Sequence, residues 1–242
     1  MLIFTFLLGC IIGSFYNVII YRLPLNQSIA FPRSHCQNCK STIPFYLNIP
    51  ILSYVFLKSK CNYCGIKISV IYPLVEFISG ILWAYSFSQY DIKQAAIFCI
   101  MTGILTCISF IDFKTMQIPI SLLLLLLLFQ LSLTIYNSSY FHSFIGALAG
   151  SGFLCITYLI TLIIYKKHAM GFGDIIIIFI LGMWMGPLLI LITIFLSSFS
   201  MMIVYLILLF KNKSIYRGPL PFVPSLTGSA IFIKILTEYI NI

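Results

Sequence analysis

The chain has 242 residues, of which 61% are hydrophobic and only 8% charged, and its formal net charge is +9. So little polar surface excludes an ordinary water-soluble domain, and apolar runs near twenty residues recur along the whole chain, the pattern of a polytopic membrane protein. Hydrocarbon satisfies no backbone polar group, so such runs cross as helices and not as alternating barrel strands.

Taken in chain order, the expected spans are roughly 2–21, 71–89, 94–111, 118–136, 143–165, 174–187, 188–210 and 220–240, which makes the fold class all-α with about eight transmembrane helices. Leu7-Leu8-Gly9-Cys10 looks like a lipoprotein cleavage site. No basic residue precedes it, however, and the run continues to Tyr21, so it reads as a retained span. The sixth span is short at Gly186-Pro187, and the eighth is broken by Pro221 and Pro224.

The basic residues explain themselves by topology. Arg22, Arg33, Lys40, Lys58, Lys60, Lys67, Lys114, Lys166, Lys167, Lys211, Lys213 and Arg217 fall in alternate loops, twelve of the fourteen basic residues on one side. Lys93 is alone in an opposite loop, and Lys234 sits late in the last span. The positive-inside rule then puts both termini outside and the basic loops in the cytoplasm. This reading makes membrane lipid the partner of the positive charge and excludes nucleic acid.

Between the first two spans lies a segment far longer than a helix connection needs, so the chain divides into a first span at 1–21, a cytoplasmic loop domain at 22–70 and a multi-helix membrane core at 71–242. The loop carries Cys36-x-x-Cys39 and Cys61-x-x-Cys64 with twenty-one residues between the pairs. Two such pairs read as a four-thiolate structural zinc site, with Gly65 in the turn that aims amides at sulfur. Disulfides are the alternative, and the reducing cytosol disfavours them. Cys10, Cys99, Cys107 and Cys155 lie singly in apolar spans and read as packing residues.

Only five acids remain to be placed: Glu76, Asp91, Asp112, Asp174 and Glu238. Asp91 and Glu238 read as solvated surface groups. Asp112 ends the third span and Asp174 opens the sixth, and opposite chain directions bring both to the cytoplasmic edge. Asp174 has a structural explanation, since an aspartate makes a good N-cap. Asp112 has none, because a negative charge at a helix C-terminus opposes the dipole. Two close carboxyls share a proton and titrate as a unit; one can activate a water while the other donates to a carbonyl oxygen, the chemistry of an aspartic protease. Gly171 and Gly173 beside Asp174 would let an extended peptide backbone approach. None of His35, His142 and His168 stands in a nucleophile motif.

These residues resemble the type IV prepilin peptidases, also called prepilin leader peptidases, which belong with the GxGD aspartyl proteases. The resemblance runs through Gly13-Ser14-Phe15-Tyr16-Asn17-Val18, Arg22-Leu23-Pro24, the paired cysteines with Asn48-Ile49-Pro50-Ile51-Leu52-Ser53-Tyr54 between them, Tyr72-Pro73-Leu74-Val75-Glu76, Asp112 with Ile118-Pro119, and Gly171-Phe172-Gly173-Asp174. It implies cleavage of the basic leader of type IV prepilins or pseudopilins at the cytoplasmic membrane face, with Asp112 and Asp174 as the catalytic pair. It also implies N-methylation of the new N-terminus with S-adenosylmethionine, the cysteine cluster being that of the bifunctional members. No glycine-rich strand-turn-helix unit is present, so the methyl donor would bind around the loop and helix ends. Glu76 could hold a cationic amine or a leader lysine there, or be only an interfacial residue. The family pattern is broken at Ile176 (usually lysine), Ile120 (often an acid or amide) and Val223 (glycine expected). A transporter or channel, or a noncatalytic membrane scaffold, is the rival reading; transport would put the acids near the bilayer midplane among broken helices.

Overall fold

The structure is a computed structural model, and it describes residues 1–166, 171–211 and 220–240. Lys167, His168, Lys213 and Arg217, four residues weighed above, lie outside the described residues. The described chain contains only isolated β-bridges and is otherwise helical: α1 (Leu2–Arg22), the short α2 (Leu52–Phe56), α3 (Ile71–Gln89), α4 (Ile92–Thr115), α5 (Ile120–Tyr136), α6 (Tyr140–Tyr165), α7 (Phe172–Met185), α8 (Pro187–Lys211) and α9 (Val223–Ile240). The eight longer helices correspond one to one with the expected spans. Four segments, Leu2–Leu25, Ile92–Thr115, Tyr140–Ile164 and Pro187–Phe210, are long and apolar enough to cross a bilayer by themselves; α5 and α7 are shorter apolar helices. The protein is a multi-pass membrane protein.

The helix boundaries follow from local chemistry, and three correct the expectations. Pro221 and Pro224 do not break the last helix but precede and open it: α9 starts at Val223, so Pro224 lies in the first turn, where no intrahelical N–H is required. Asp174 is not the N-cap of α7. Gly171 holds that position in extended conformation, and Asp174 stands three residues on, within the first turn. The α4 helix runs past Asp112 to Thr115. Between α7 and α8 a single residue, Gly186 at φ 84°, reverses the chain, and Pro187 begins the next helix with the φ that a first turn needs.

The chain forms two compact units, Met1–Ile111 and Asp112–Ile242. In the first, α1 lies along α3, and the cysteine-bearing loop is joined to their ends. Buried Cys10, Cys99 and Cys107 are packing residues as expected, whereas Cys155 on α6 is exposed. In the second unit α6 packs on α7 and on α8, and α8 on α9. Without a hydrophobic driving force between helices in lipid, close backbone approach must supply the contact energy. The α6–α7 crossing does this at Gly146 and Gly182: a Cβ on Gly182 would meet the Gly146 carbonyl carbon at 2.7 Å and the Ala147 Cα at 2.9 Å.

Two alanine substitutions separate packing from propensity. Gly182→Ala should lower the thermal midpoint of the detergent-purified protein by the equivalent of about 1–3 kcal/mol, the usual cost of overpacking. Gly152→Ala, on α6 where an added Cβ meets nothing within 4 Å, should be neutral or stabilise by about 0.5–1 kcal/mol. Equal midpoints for the two variants would remove the close-approach account of the α6–α7 seam.

Candidate active site

Asp112 and Asp174 both belong to the second unit. Asp112 is buried in the last turn of α4, and Asp174 is half-buried in the first turn of α7. The Asp112 carboxyl is close enough for its charge to act on Asp174. Asp174 sits where a helix dipole favours an anion. Asp112 sits where its own helix opposes one, and the compensation comes from elsewhere: Val223, the first residue of α9, donates its backbone N–H to Asp112 Oδ2 at 3.2 Å. That N–H is one of the four that every helix start leaves without an intrahelical partner. Asp112 therefore caps α9, and its Oδ1 is left for other chemistry.

Val223 is a participant that sequence reasoning missed, because it acts through its backbone. Its only signal was positional, as the residue standing where the family pattern has glycine. The two glycines beside Asp174 part company. A Cβ on Gly173 would come within 2.7 Å of Ile118 Cδ1, so this residue is small in order to seat the segment that follows α4. Among the described residues a Cβ on Gly171 would meet only Asp174 Oδ2, at an ordinary 3.5 Å. Of the two glycines, it is Gly171 that leaves space beside the carboxylate.

The four cysteines and Glu76 belong to the first unit. The two cysteine pairs form matching turns. Cys36 N–H donates to Ser41 O at 2.9 Å and Cys61 N–H to Ile66 O at 2.8 Å; Ile43 N–H reaches Ser34 O and Ile68 N–H reaches Ser59 O in the same way. After each second cysteine the chain turns through positive φ, 58° at Lys40 and 70° at Gly65. All four Sγ atoms lie within 4.8 Å of one another, and Cys36 Sγ is 3.8 Å from Cys64 Sγ. Four sulfurs at ~2.3 Å from a tetrahedral zinc stand ~3.8 Å apart, so the set fits the metal. The protonation chemistry agrees. The Ser41 hydroxyl and amide bring the Cys39 thiol down to about 6, and the Cys64 and Tyr63 amides lower Cys61. Cys36 stands at about 11: the Cys39 amide favours its thiolate, but burial and the neighbouring Cys61 and Cys39 thiols outweigh it. A dication would relieve that crowding of negative charge.

Glu76 is buried in α3. Its Oε2 accepts the Ile51 N–H at 2.8 Å, and its Oε1 faces Asn17 Nδ2 at 3.5 Å. Arg22, foreseen only as a topological charge, is buried and ties the start of the loop to α1 by donating to the carbonyls of Ser28, Ile29, Pro32 and Arg33 at 2.7–3.4 Å. Of the two acids expected on the surface, Asp91 is exposed, and Glu238 pairs with Lys234 at 3.5 Å.

Fold and site together define a helical multi-pass membrane protein with an acid pair at helix ends and a metal-compatible thiol cluster. Family models match most of the chain: the Bacterial Peptidase A24 N-terminal domain over residues 7–90 and the Type IV leader peptidase family over residues 99–207. The chain belongs to the type IV leader peptidase family. It is 33% identical to the Prepilin leader peptidase/N-methyltransferase of Myxococcus xanthus (strain DK1622), over 74% of this chain and 55% of that one. It is 30% identical to the protein of that name from Burkholderia pseudomallei (strain 1026b), over 94% and 82%, and 31% identical to that of Bacillus subtilis (strain 168), over 96% and 92%. No solved structure matches.

Metal analysis tests the cluster directly. The purified protein should carry about one zinc per chain, and Cys36→Ser or Cys61→Ser should lower that content. Wild-type protein that is metal-free, with four titratable free thiols, would eliminate the zinc site.

Proposed function

We propose that this protein is a leader peptidase of type IV prepilins or pseudopilins, acting through Asp112 and Asp174 at the cytoplasmic face of the bacterial inner membrane, and that it then N-methylates the new N-terminus. The observation that carries the peptidase reading is that two acids stand in terminal helix turns of one unit, with the charge of Asp112 felt at Asp174. The relatives' shared printed name supports both activities.

In this reading the pair holds one proton between its two carboxyls. The ionised carboxyl takes a proton from a water as the water oxygen bonds to the scissile carbonyl carbon; the protonated one donates to the carbonyl oxygen. The Val223 amide fixes Asp112 through Oδ2, and Gly171 leaves room for the leader backbone over Asp174. Gly173 contributes by seating Ile118 and so holding the two chain segments in register. Transport chemistry is not favoured, since both acids stand in terminal turns of unbroken helices.

The division of labour follows the chain. Residues 71–242 supply the peptidase core, and residues 22–70, held by zinc on Cys36, Cys39, Cys61 and Cys64, form a cytoplasmic domain anchored by the span at 1–21. When bound, S-adenosylmethionine supplies a methyl group: the pilin amine forms the N–C bond and sheds a proton while the sulfur keeps the S–C electron pair. Zinc in the four-thiolate site is structural, with no open position for substrate.

Coexpression with a prepilin and mass spectrometry of the product tests the pair. Asp112→Asn and Asp174→Asn should each lower cleavage by about 10²–10⁴-fold. The double variant should be no worse than either single one, because the carboxyls act as a unit. Asp91→Asn, an exposed acid outside the pair, should process normally. Near-normal leader removal by either single variant would end the two-aspartate reading.

A further inference from the structure

Beneath the cysteine loop the first unit holds a partly open cavity of about 350 Å³ that the peptidase chemistry does not use. Its walls come from α1, α3 and the loop, and include Val18, Tyr21, Leu47, Tyr54 and Tyr72 beside Asn17 and Glu76. The volume lies in the ~300–1,000 Å³ range of small-molecule sites, and the mixture of aromatic wall and few polar groups is typical of them.

The Glu76 carboxylate is the unusual feature of this cavity. It is buried, and among the described residues it forms no ion pair; its partners are neutral, the Ile51 amide, the Asn17 carboxamide and the Ser14 hydroxyl. Arg22 lines the same cavity, but its guanidinium is spent on four loop carbonyls. A buried carboxylate left with neutral donors is costly unless a cation arrives. The clamp on it is strained as well: Ile51, β-branched, stands at φ 61° and ψ −51°. Such conformations persist where surrounding structure enforces them, commonly at ligand clamps. Gly13 completes the arrangement, since a Cβ there would meet Glu76 Cα at 2.8 Å, so α1 approaches α3 closely enough to set Asn17 beside the acid.

We propose that this cavity binds the methyl donor S-adenosylmethionine, with its sulfonium centre held against the Glu76 carboxylate. The inference rests on the methyltransferase reading above and gives it a location. The other cation in that reaction, the pilin amine, arrives on a polypeptide. A helical segment ~10–12 Å across is too wide for a cavity of about 350 Å³, so the small donor is the occupant.

The test uses three ligands of nearly equal shape on the purified full-length protein: S-adenosylmethionine, sinefungin, which carries an ammonium near the sulfonium position, and S-adenosylhomocysteine, the neutral thioether. Titration calorimetry should show the two cations binding wild type roughly tenfold more tightly than the thioether. Glu76→Gln retains an oxygen acceptor for the Ile51 amide while removing the charge, and should erase that preference; Glu76→Asp should keep most of it. Zinc content and membrane accumulation report whether each variant folds. Leu47→Trp, which fills the cavity from the loop side, should weaken all three ligands and gives a test independent of position 76. If Glu76→Gln keeps the full cation preference, or Leu47→Trp binds all three as wild type does, the donor is held elsewhere and this inference fails while the methyltransferase reading stands. If wild type binds none of the three and coexpressed pilin emerges cleaved but unmethylated, the methyltransferase reading fails and takes this site with it.

Discussion

The hydrogen bond from the Val223 amide to Asp112 is the contact on which the second unit depends. It solves two problems at once. The last turn of α4 is an unfavourable place for a carboxylate, because the helix presents carbonyl oxygens there; the start of α9 is an unfavourable place for buried N–H groups, because they have no acceptors. Joined, each supplies what the other lacks. Asp174 needs no such arrangement, since it lies in the first turn of its own helix. Both carboxylates thus face helix N-termini, one through its own helix and one through a neighbour's. The amides of α7 and α9 form a fixed positive setting for a shared negative charge.

That setting is held by backbone contacts more than by side-chain fit. Gly182 against Gly146 brings α7 onto α6, and Gly173 accepts Ile118 from the segment leaving α4. Each glycine substitutes a short distance for a side chain, and each short distance limits how far an aspartate can wander. A 14-residue helix such as α7 spans only ~21 Å, against a hydrocarbon core of ~30 Å. An end of α7 is therefore recessed unless the bilayer thins around it. A recessed carboxylate depends more heavily on partners within the protein, and Asp174 has one in Asp112.

What was legible in the sequence divides along chemical lines. Helix number and order could be read because twenty-residue apolar runs admit one interpretation in a membrane. The four cysteines could be read because thiolate spacing is stereotyped, and the aspartates because acids are so few. The roles of Val223, Gly173 and Pro224 could not be read. Val223 acts through an amide that every residue but proline possesses; the family match to the second region also ends at residue 207, before it. Gly173 looked like room for a substrate because sequence does not say which atom fills the space beside a glycine. Pro224 looked like an interruption, although a proline inside a helix and one in its first turn are the same letter. Arg22 was counted as a charge, whereas its work is to gather four carbonyls.

The two units solve the problem of a buried acid in opposite ways, and the difference bears on what each can do. In the second, the charge of Asp112 acts on Asp174, and in the reading proposed above the two would share one proton and titrate as a unit. In the first, Glu76 forms no ion pair among the described residues, and its donors are neutral: Asn17, Ser14 and the strained backbone of Ile51. A pair that shares a proton is suited to moving one. A single carboxylate in a small, partly open cavity is suited to holding a positive charge that something else brings. On the proposed reading a buried acid would thus serve acid–base work in one unit and cation recognition in the other, and what would decide between them is whether a second carboxyl stands within reach.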